Sequence, residues 1–244
     1  MYINFFIYLT NLYLRINVYS VNIVLNVYSV NINMKYHHGN LRSELIRCAC
    51  TLCEEHGHDK ISLRGIAKEA NVSQTAPYRH FETKESLLAA VAAHGFVEMQ
   101  KSIDKIIDLS KTNKISKKML IDAMLAYLDF AISNNNIYEV MFGTVIKDFR
   151  NFPDLHDAAL EAYSSLKSSI KRYIKLKNDQ EYDEKCVKIW AFLHGLVGLN
   201  KIEQKLEDVP TTDGSFDMPI DALRAAKNNL VPFMNSSIDA LIKS

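Results

Sequence analysis

From Met34 to the end of the chain, apolar side chains recur at spacings of three and four residues and almost nowhere at two, the period of a helix buried along one face. No stretch reads as a convincing strand, so the chain must bury its apolar faces helix against helix. Leu45, Ile46, Ala49, Leu52 and Cys53 form one stripe, which Gly57 closes as a stop signal. Ser62 caps a short helix carrying Leu63, Ile66, Ala67 and Ala70. Asn71 stands where the chain must turn, because Asn is the non-glycine residue that best tolerates a left-handed backbone. Ser73 opens a further short helix through Phe81, and Thr83 caps a long one from Lys84 to about Ile107, with Glu85 well placed in its first turn. Later helices are expected over 116–133, 137–146, 154–177, 182–206 and 219–242, the last kinked or divided at Pro232, with a loop from Asp208 to Pro219.

Residues 1–33 break this rhythm. They hold five of the twelve Tyr, seven Asn, one basic residue (Arg15) and no acidic one, and the run from Asn17 to Ile23 returns as Asn26 to Ile32. A solenoid needs about three such repeats. Asn4, Thr10, Asn11, Arg15 and Asn17 interrupt any membrane span, and a secretory signal would need a basic start and a small-residue cleavage site. The composition is what AT-rich DNA encodes when read through, and Met34-Lys35 looks like an ordinary start. Residues 1–33 therefore read as an over-extended frame or a disordered tail, and no membrane partner is expected.

With 244 residues, 48% of them hydrophobic and only eight Gly and five Pro, the chain can fill a large core. Four Cys make no disulfide scaffold and point to a reducing, cytoplasmic setting. The balance of 29 basic against 28 acidic residues excludes a protein that coats nucleic acid by bulk charge, but leaves room for a small reading surface. Cys48, Cys50, Cys53, His56 and His58 are metal-ligating types, yet on a helix Cys48 and Cys50 point about 200° apart and cannot share an ion without unwinding it. Redox sensing by Cys50 depends on its exposure. The sequence carries no phosphate-cradling Gly loop, nucleophile elbow or zinc-protease pair, so neither an enzyme nor a cofactor is expected.

Ser62 to Phe81 reads as helix, tight turn, helix. Ala67 supplies the small residue wanted where two helices cross, and Val72 an apolar plug after the turn. In such a unit the second helix enters the major groove with its first residues at base edges, here Gln74, Thr75, Ala76 and Pro77. Gln suits adenine, and the Thr methyl, Ala and Pro suit thymine methyl groups. Tyr78 and His80 offer donors to phosphates, and Lys84 adds charge where free helix amides already favour an anion. Ser62, Arg64, Ser73 and Arg79 complete the candidate DNA-contacting set. Lys35, Tyr36, His37, His38, Asn40 and Arg42 form a polar arm that could reach the adjacent backbone or minor groove.

The runs Ile-Ala-Lys-Glu-Ala-Asn-Val-Ser at 66–73 and Tyr-Arg-His-Phe-Glu-Thr-Lys-Glu-Ser-Leu-Leu at 78–88 closely resemble the DNA-binding head of TetR/AcrR-family transcriptional regulators, from Tyr36 to about Val97. Tyr36 to Arg42, and Trp-Ala-Phe-Leu-His-Gly-Leu at 190–196, resemble the subgroup with a C-terminal Trp-His-Gly signature. The resemblance implies an all-α homodimer whose heads grip two half-sites of a palindrome in double-stranded operator DNA, and whose helical-bundle body takes a small-molecule effector that changes head spacing. The expected division is 34–83 helix-turn-helix head, 84–107 connecting helix and 108–244 effector-binding and dimerisation domain. Two departures are mild. Asn71 replaces the more usual Gly, and Gly65 stands where an acidic residue would complete a capping box, so the second helix starts weakly.

Aromatic and sulfur residues crowd the body. Tyr127, Phe130, Tyr138, Met141, Phe142, Trp190 and His194 are the candidate effector contacts, each with packed core as the alternative. For His194 a core position with one hydrogen bond is favoured, with Gly195 permitting close helix approach. The last two helices would build a four-helix interface with the symmetry mate. The expected function is a ligand-responsive transcriptional regulator, a repressor. The alternative is a helical small-molecule-binding or enzymatic protein whose head no longer binds DNA.

Overall fold

The computed structural model describes residues 41–108, 111, 113–207 and 217–243, and every regular element among them is helical. The segment 1–33, the arm residues Lys35, Tyr36, His37, His38 and Asn40, and most of the Asp208–Pro219 loop lie outside the described residues. The helices are α1 (Leu41–His56), α2 (Leu63–Glu69), α3 (Lys84–Asp104), α4 (Lys117–Ser133), α5 (Asn135–Phe142), α6 (Pro153–Tyr173), α7 (Asp179–Glu207), α8 (Asp217–Asn228) and α9 (Leu230–Lys243). Single 3-10 turns stand at His58–Lys60, Pro77–Arg79 and Phe149–Asn151. The fold is all-α, with an N-terminal helix-turn-helix and a C-terminal helical body.

Local chemistry explains most boundaries. The buried face of α1 is Leu45, Cys48, Ala49 and Cys53, and Gly57 follows with φ 79°, a value that favours glycine. At Ser62 the hydroxyl oxygen accepts from the Gly65 amide at 3.0 Å, half of a capping box. Asn71 is left-handed at φ 52°. Val72 N–H reaches Ala67 O at 2.9 Å and Asn71 N–H reaches Lys68 O at 3.1 Å, the paired bonds of a Schellman stop. Thr83 and Ser86 form a full capping box at the start of α3.

Three expectations are corrected. The expected helix from Ser73 through Phe81 is a run of tight turns with one 3-10 turn. Pro77 has no N–H to return to the Ser73 carbonyl, and the Ser73 and Thr75 hydroxyls pair with each other at 3.2 Å. The fifth helix stops at Phe142, short of 146, because Gly143 caps it against Glu139 O; a Cβ there would lie 2.3 Å from that oxygen. The final division falls at Asn229, before Pro232, which sits in the first turn of α9 where an amide has no intrahelical acceptor to lose.

Helix α3 organises the interior. Leu87 through Ala93, with Gly95, Phe96 and Met99, are buried, and α4, α5 and α6 pack around it. Helix α7 packs on α4 and α6, and α9 on α4, α7 and α8. At Gly95 an added Cβ would stand 2.6 Å from Met141 Sδ and 2.7 Å from Ile137 Cγ2, so the missing side chain is what lets α5 lie this close.

Candidate nucleic-acid interface and interior cavity

The reading segment hangs on two capped helices. Ile66 and Ala67 of α2 and Phe81 are fully or almost fully buried, while Arg64, Ser73, Gln74, Thr75, Tyr78, Arg79 and His80 are exposed and Ala76 is half-buried. Pro77, a base-edge candidate by sequence, is buried and acts as the pin of the turn. Tyr78 presents an aromatic ring that is 51% exposed. Ser62 Oγ already accepts one bond as the α2 cap, which leaves its hydroxyl hydrogen to donate.

Two of the basic residues assigned to DNA are occupied within the chain. Lys84 Nζ donates to Asp59 O at 2.9 Å, tying the start of α3 to the turn after α1. Arg42 Nη2 lies 2.7 Å from Asp154 Oδ2 in the first turn of α6, with its guanidinium 5.6 Å from the centre of the Phe81 ring. Two further ties join the same regions. The Glu54 carboxylate on α1 accepts from Ile137 N–H at 2.6 Å and Asn136 N–H at 3.4 Å, capping α5 from outside its own chain segment. Burial holds the Glu54 carboxyl above its ordinary range, and those two backbone donors work in the opposite direction. Glu85 Oε1 accepts from Lys147 N–H at 3.2 Å. Glu54 carries no warning in its sequence context, because its partners lie more than eighty residues away.

Between α3, α4, α5, α6 and α7 lies a cavity of about 470 Å³. Of the candidate effector contacts, Tyr127, Met141, Phe142 and Trp190 line it, whereas Phe130, Tyr138 and His194 do not. Sequence reasoning missed the whole α3 wall (Phe96, Met99, Gln100 and Ile103) and, apart from the aromatic Tyr163, the α6 wall of Ala159, Ala162, Ser165, Leu166 and Ser169. The α3 residues follow the three-and-four spacing of a core face, and that period does not distinguish a filled core from one with a hole in it.

His194 sits just behind the cavity. Tyr138 Oη and His194 Nδ1 are 2.5 Å apart, Tyr127 Oη is 2.9 Å from Tyr138 Oη, and the Phe142 ring stands edge-on to the imidazole at 4.5 Å. Burial lowers the His194 pKa from 6.5, so the ring is neutral at physiological pH. Burial also pushes the Tyr138 phenol up to about 12 and the Tyr127 phenol still higher, which keeps both protonated. Gly195 is exposed with open space where a Cβ would be, so it serves no close approach among the described residues.

Cys48 and Cys53 are buried and Cys50 is half-buried. Burial pushes the Cys48 thiol up to about 11 and those of Cys50 and Cys53 up to about 12, far from the thiolate that redox sensing needs. Among the described residues no group of three His, Cys, Asp or Glu side chains could hold a metal ion, and no helix is long and apolar enough to cross a membrane.

Two family models match this chain. "Bacterial regulatory proteins, tetR family" covers residues 45–91, the α1-to-α3 region, and "Tetracyclin repressor-like, C-terminal domain" covers 120–223. Together they take in well over half of the sequence, and the chain belongs to the TetR family of helix-turn-helix DNA-binding transcriptional regulators. Among curated relatives, an uncharacterised HTH-type transcriptional regulator of Bacillus subtilis, YobS, is 27% identical over 41% of this chain and 51% of its own length. The match thus spans about half of that relative. An HTH-type transcriptional regulator of Mycobacterium tuberculosis is 20% identical over 66% of this chain and 80% of its own. Among solved structures, a TetR variant from Acinetobacter baumannii AYE in complex with minocycline shares the fold with a TM-score of 0.54 at 20% identity, covering 86% of this chain and all of the other.

Proposed function

We propose that this chain is a ligand-responsive repressor that binds a palindromic operator as a homodimer. Gln74, Thr75 and Ala76 read base edges, and Ser62, Arg64, Ser73, Tyr78, Arg79, His80 and Lys84 hold the phosphate backbone. The arm residues Lys35, Tyr36, Asn40 and Arg42 reach the neighbouring backbone or minor groove. Within this reading 34–83 is the head, 84–107 the connecting helix and 108–244 the effector and dimerisation domain, working in the cytoplasm with no membrane partner, no cofactor and no catalysis. Trp190, His194 and Gly195 support placement in the Trp-His-Gly subgroup.

The observation that carries the proposal is an apolar cavity built on α3, the same helix whose capped N-terminus holds the reading segment. Met141 and Phe142 of α5 line that cavity, and the other end of α5 is capped by Glu54 of α1. A ligand that fits best with α5 displaced therefore draws α1 with it, and the head spacing leaves register with the operator. The fold shared with a minocycline complex supports a small-molecule occupant.

Dimerisation rests on α7. Val187, Ala191, Gly195, Gly198, Leu199 and Ile202 fall within an arc of about 120° of that helix. All six are exposed, and both glycines face open space. Val231 adds an exposed apolar side chain on α9. A symmetry mate packed here would bury this stripe, and the glycines would admit its backbone closely.

A mobility-shift titration on DNA upstream of the chain's own gene, with salt varied, tests the reading. Retardation of a palindromic fragment by a dimer, weakening as salt rises, is expected. Failure to retard any palindromic fragment, with or without candidate effectors, would sink it.

A further inference from the structure

We propose that the cavity selects a neutral, largely aromatic or aliphatic molecule carrying one hydroxyl or amide group, and rejects ions of either sign. This rests on reading the cavity as the effector site. Among the described residues, none that lines it is Asp, Glu, Lys, Arg or His. An ion entering it would exchange water for rings and thioethers such as Phe96, Met99, Met124 and Phe142, with no counter-charge on the wall.

The polar lining groups narrow the choice. Tyr127 Oη is bonded to Tyr138 Oη, Tyr163 Oη donates to Asp183 Oδ1 at 2.8 Å, and Ser169 Oγ donates to Ser165 O at 2.9 Å. Gln100 is different. Its amide nitrogen donates to Ser165 Oγ at 2.8 Å and to Asp104 Oδ1 at 2.7 Å. The Asp104 carboxylate accepts only, so it fixes which end of the amide is the nitrogen. That leaves the Gln100 amide oxygen to accept and the Ser165 hydroxyl hydrogen to donate. A hydroxyl or an amide can answer both at once. A carboxylate has nothing to give Gln100, and an ammonium cannot accept from Ser165.

The spacing along α3 fixes where that group sits. Gln100 is one turn from Phe96 and about one turn from Ile103. The Phe96 end is aromatic, with the Phe142 ring at 5.1 Å from Phe96 and the Trp190 ring at 6.1 Å from Phe142. The other end is aliphatic, with Ile103, Ile107 and Leu120. The ligand that fits has a ring at one end, a polar group near its middle or at the ring edge, and an aliphatic portion beyond it. Rings attract cations, so a cation is the strongest competitor to set against this assignment.

Trp190 is the only Trp in the chain and lines the cavity, so its fluorescence reports occupancy directly. The full chain, without DNA, is titrated with ortho-butylphenol, ortho-butylbenzylammonium and ortho-butylbenzoate, whose polar group lies at the ring edge beside the aliphatic chain. Saturable binding of the phenol, at least tenfold tighter than either ion, is expected. Equal or tighter binding of an ion, or no binding by any of the three, overturns the assignment. Gln100→Leu and Ser165→Ala, each checked for native circular dichroism, should each weaken the phenol severalfold; if both leave it unchanged, the polar anchor is wrong. Repeating the titration on an operator complex separates the two claims. Release of DNA by a charged compound that displaces the phenol leaves the regulator intact and overturns the ligand class. Phenol binding with no operator binding at all does the reverse.

Discussion

Between Ser62 and Lys84 the side chains assigned to DNA stand mainly in solvent, held from beneath by Ile66, Ala67, Pro77 and Phe81. Around the cavity Tyr127 and Met141 are buried, Phe142 is half-buried and Trp190 keeps one edge in solvent, and several polar atoms there already have partners. Under the proposed function the first region reads a ligand by leaving donors free, and the second by leaving space. Changes in the first should therefore alter binding without touching stability, and changes in the second should do both. The two meet through α1, where Arg42 and Glu54 hold the first turns of α6 and α5.

The largest expected effect tests the first half of that contrast. Each of Gln74→Ala, at a base edge, and Tyr78→Ala, at the phosphate backbone, should cost about 1–3 kcal/mol of operator affinity, roughly five- to 150-fold. Stability should move by less than about 0.5 kcal/mol, since both side chains are exposed. A mobility shift beside a thermal melt reads both, and a large drop in melting temperature would erase the distinction. Lys84→Ala is a poorer test, because it also removes the tie to Asp59.

Gly95→Ala should destabilise by about 1–3 kcal/mol, because the new methyl group meets Met141 and Ile137 and must push α5 aside. Urea unfolding measures it, and an unchanged midpoint would mean that α5 yields freely. Glu54→Ala should cost about 1 kcal/mol, the usual worth of a helix cap. Its sharper signature is a weaker effect of any cavity ligand on operator affinity, compared with the parent chain; retained coupling would route the signal elsewhere.

The smallest effect is a pH dependence. Burial lowers the His194 pKa below 6.5, so the unfolded chain binds a proton there before the folded one does. Stability from this group is present above about pH 6.5 and is lost as pH falls towards the folded value. A His194→Gln variant should flatten that acid arm in melts between mildly acidic and neutral buffer. An identical slope in both proteins would place the proton uptake on another residue.

Much of the head could be read directly. Ser62, Asn71 and Thr83 act on amides and dihedrals within a few residues, so their roles as cap, left-handed stop and cap followed from their neighbours. The helix expected after Ser73 failed at the same scale, because the missing Pro77 amide and the paired hydroxyls of Ser73 and Thr75 outweighed the general pattern. Pro232 was expected to kink or divide the last helix; the division falls at Asn229, and Pro232 lies in the first turn of α9. In the body, Tyr127, Met141, Phe142 and Trp190 were identified by type as pocket residues, while Tyr138 and His194 went to the network behind them. Residue type says that a ring will be buried, and not which side of a wall it will face.

The sequence by itself determined the all-helical class, the caps, the helix-turn-helix and the absence of bulk charge, because period, capping and composition act over a turn or two of chain. Only the tertiary structure decided that Gln100 meets Ser165, that Glu54 caps α5, and that Arg42 and Lys84 are engaged inside the molecule. Except for the Lys84 tie to Asp59, those partners are 65 or more residues apart. The cavity likewise exists only because five helices, each packed well enough on its neighbours, face one common space that their side chains do not fill.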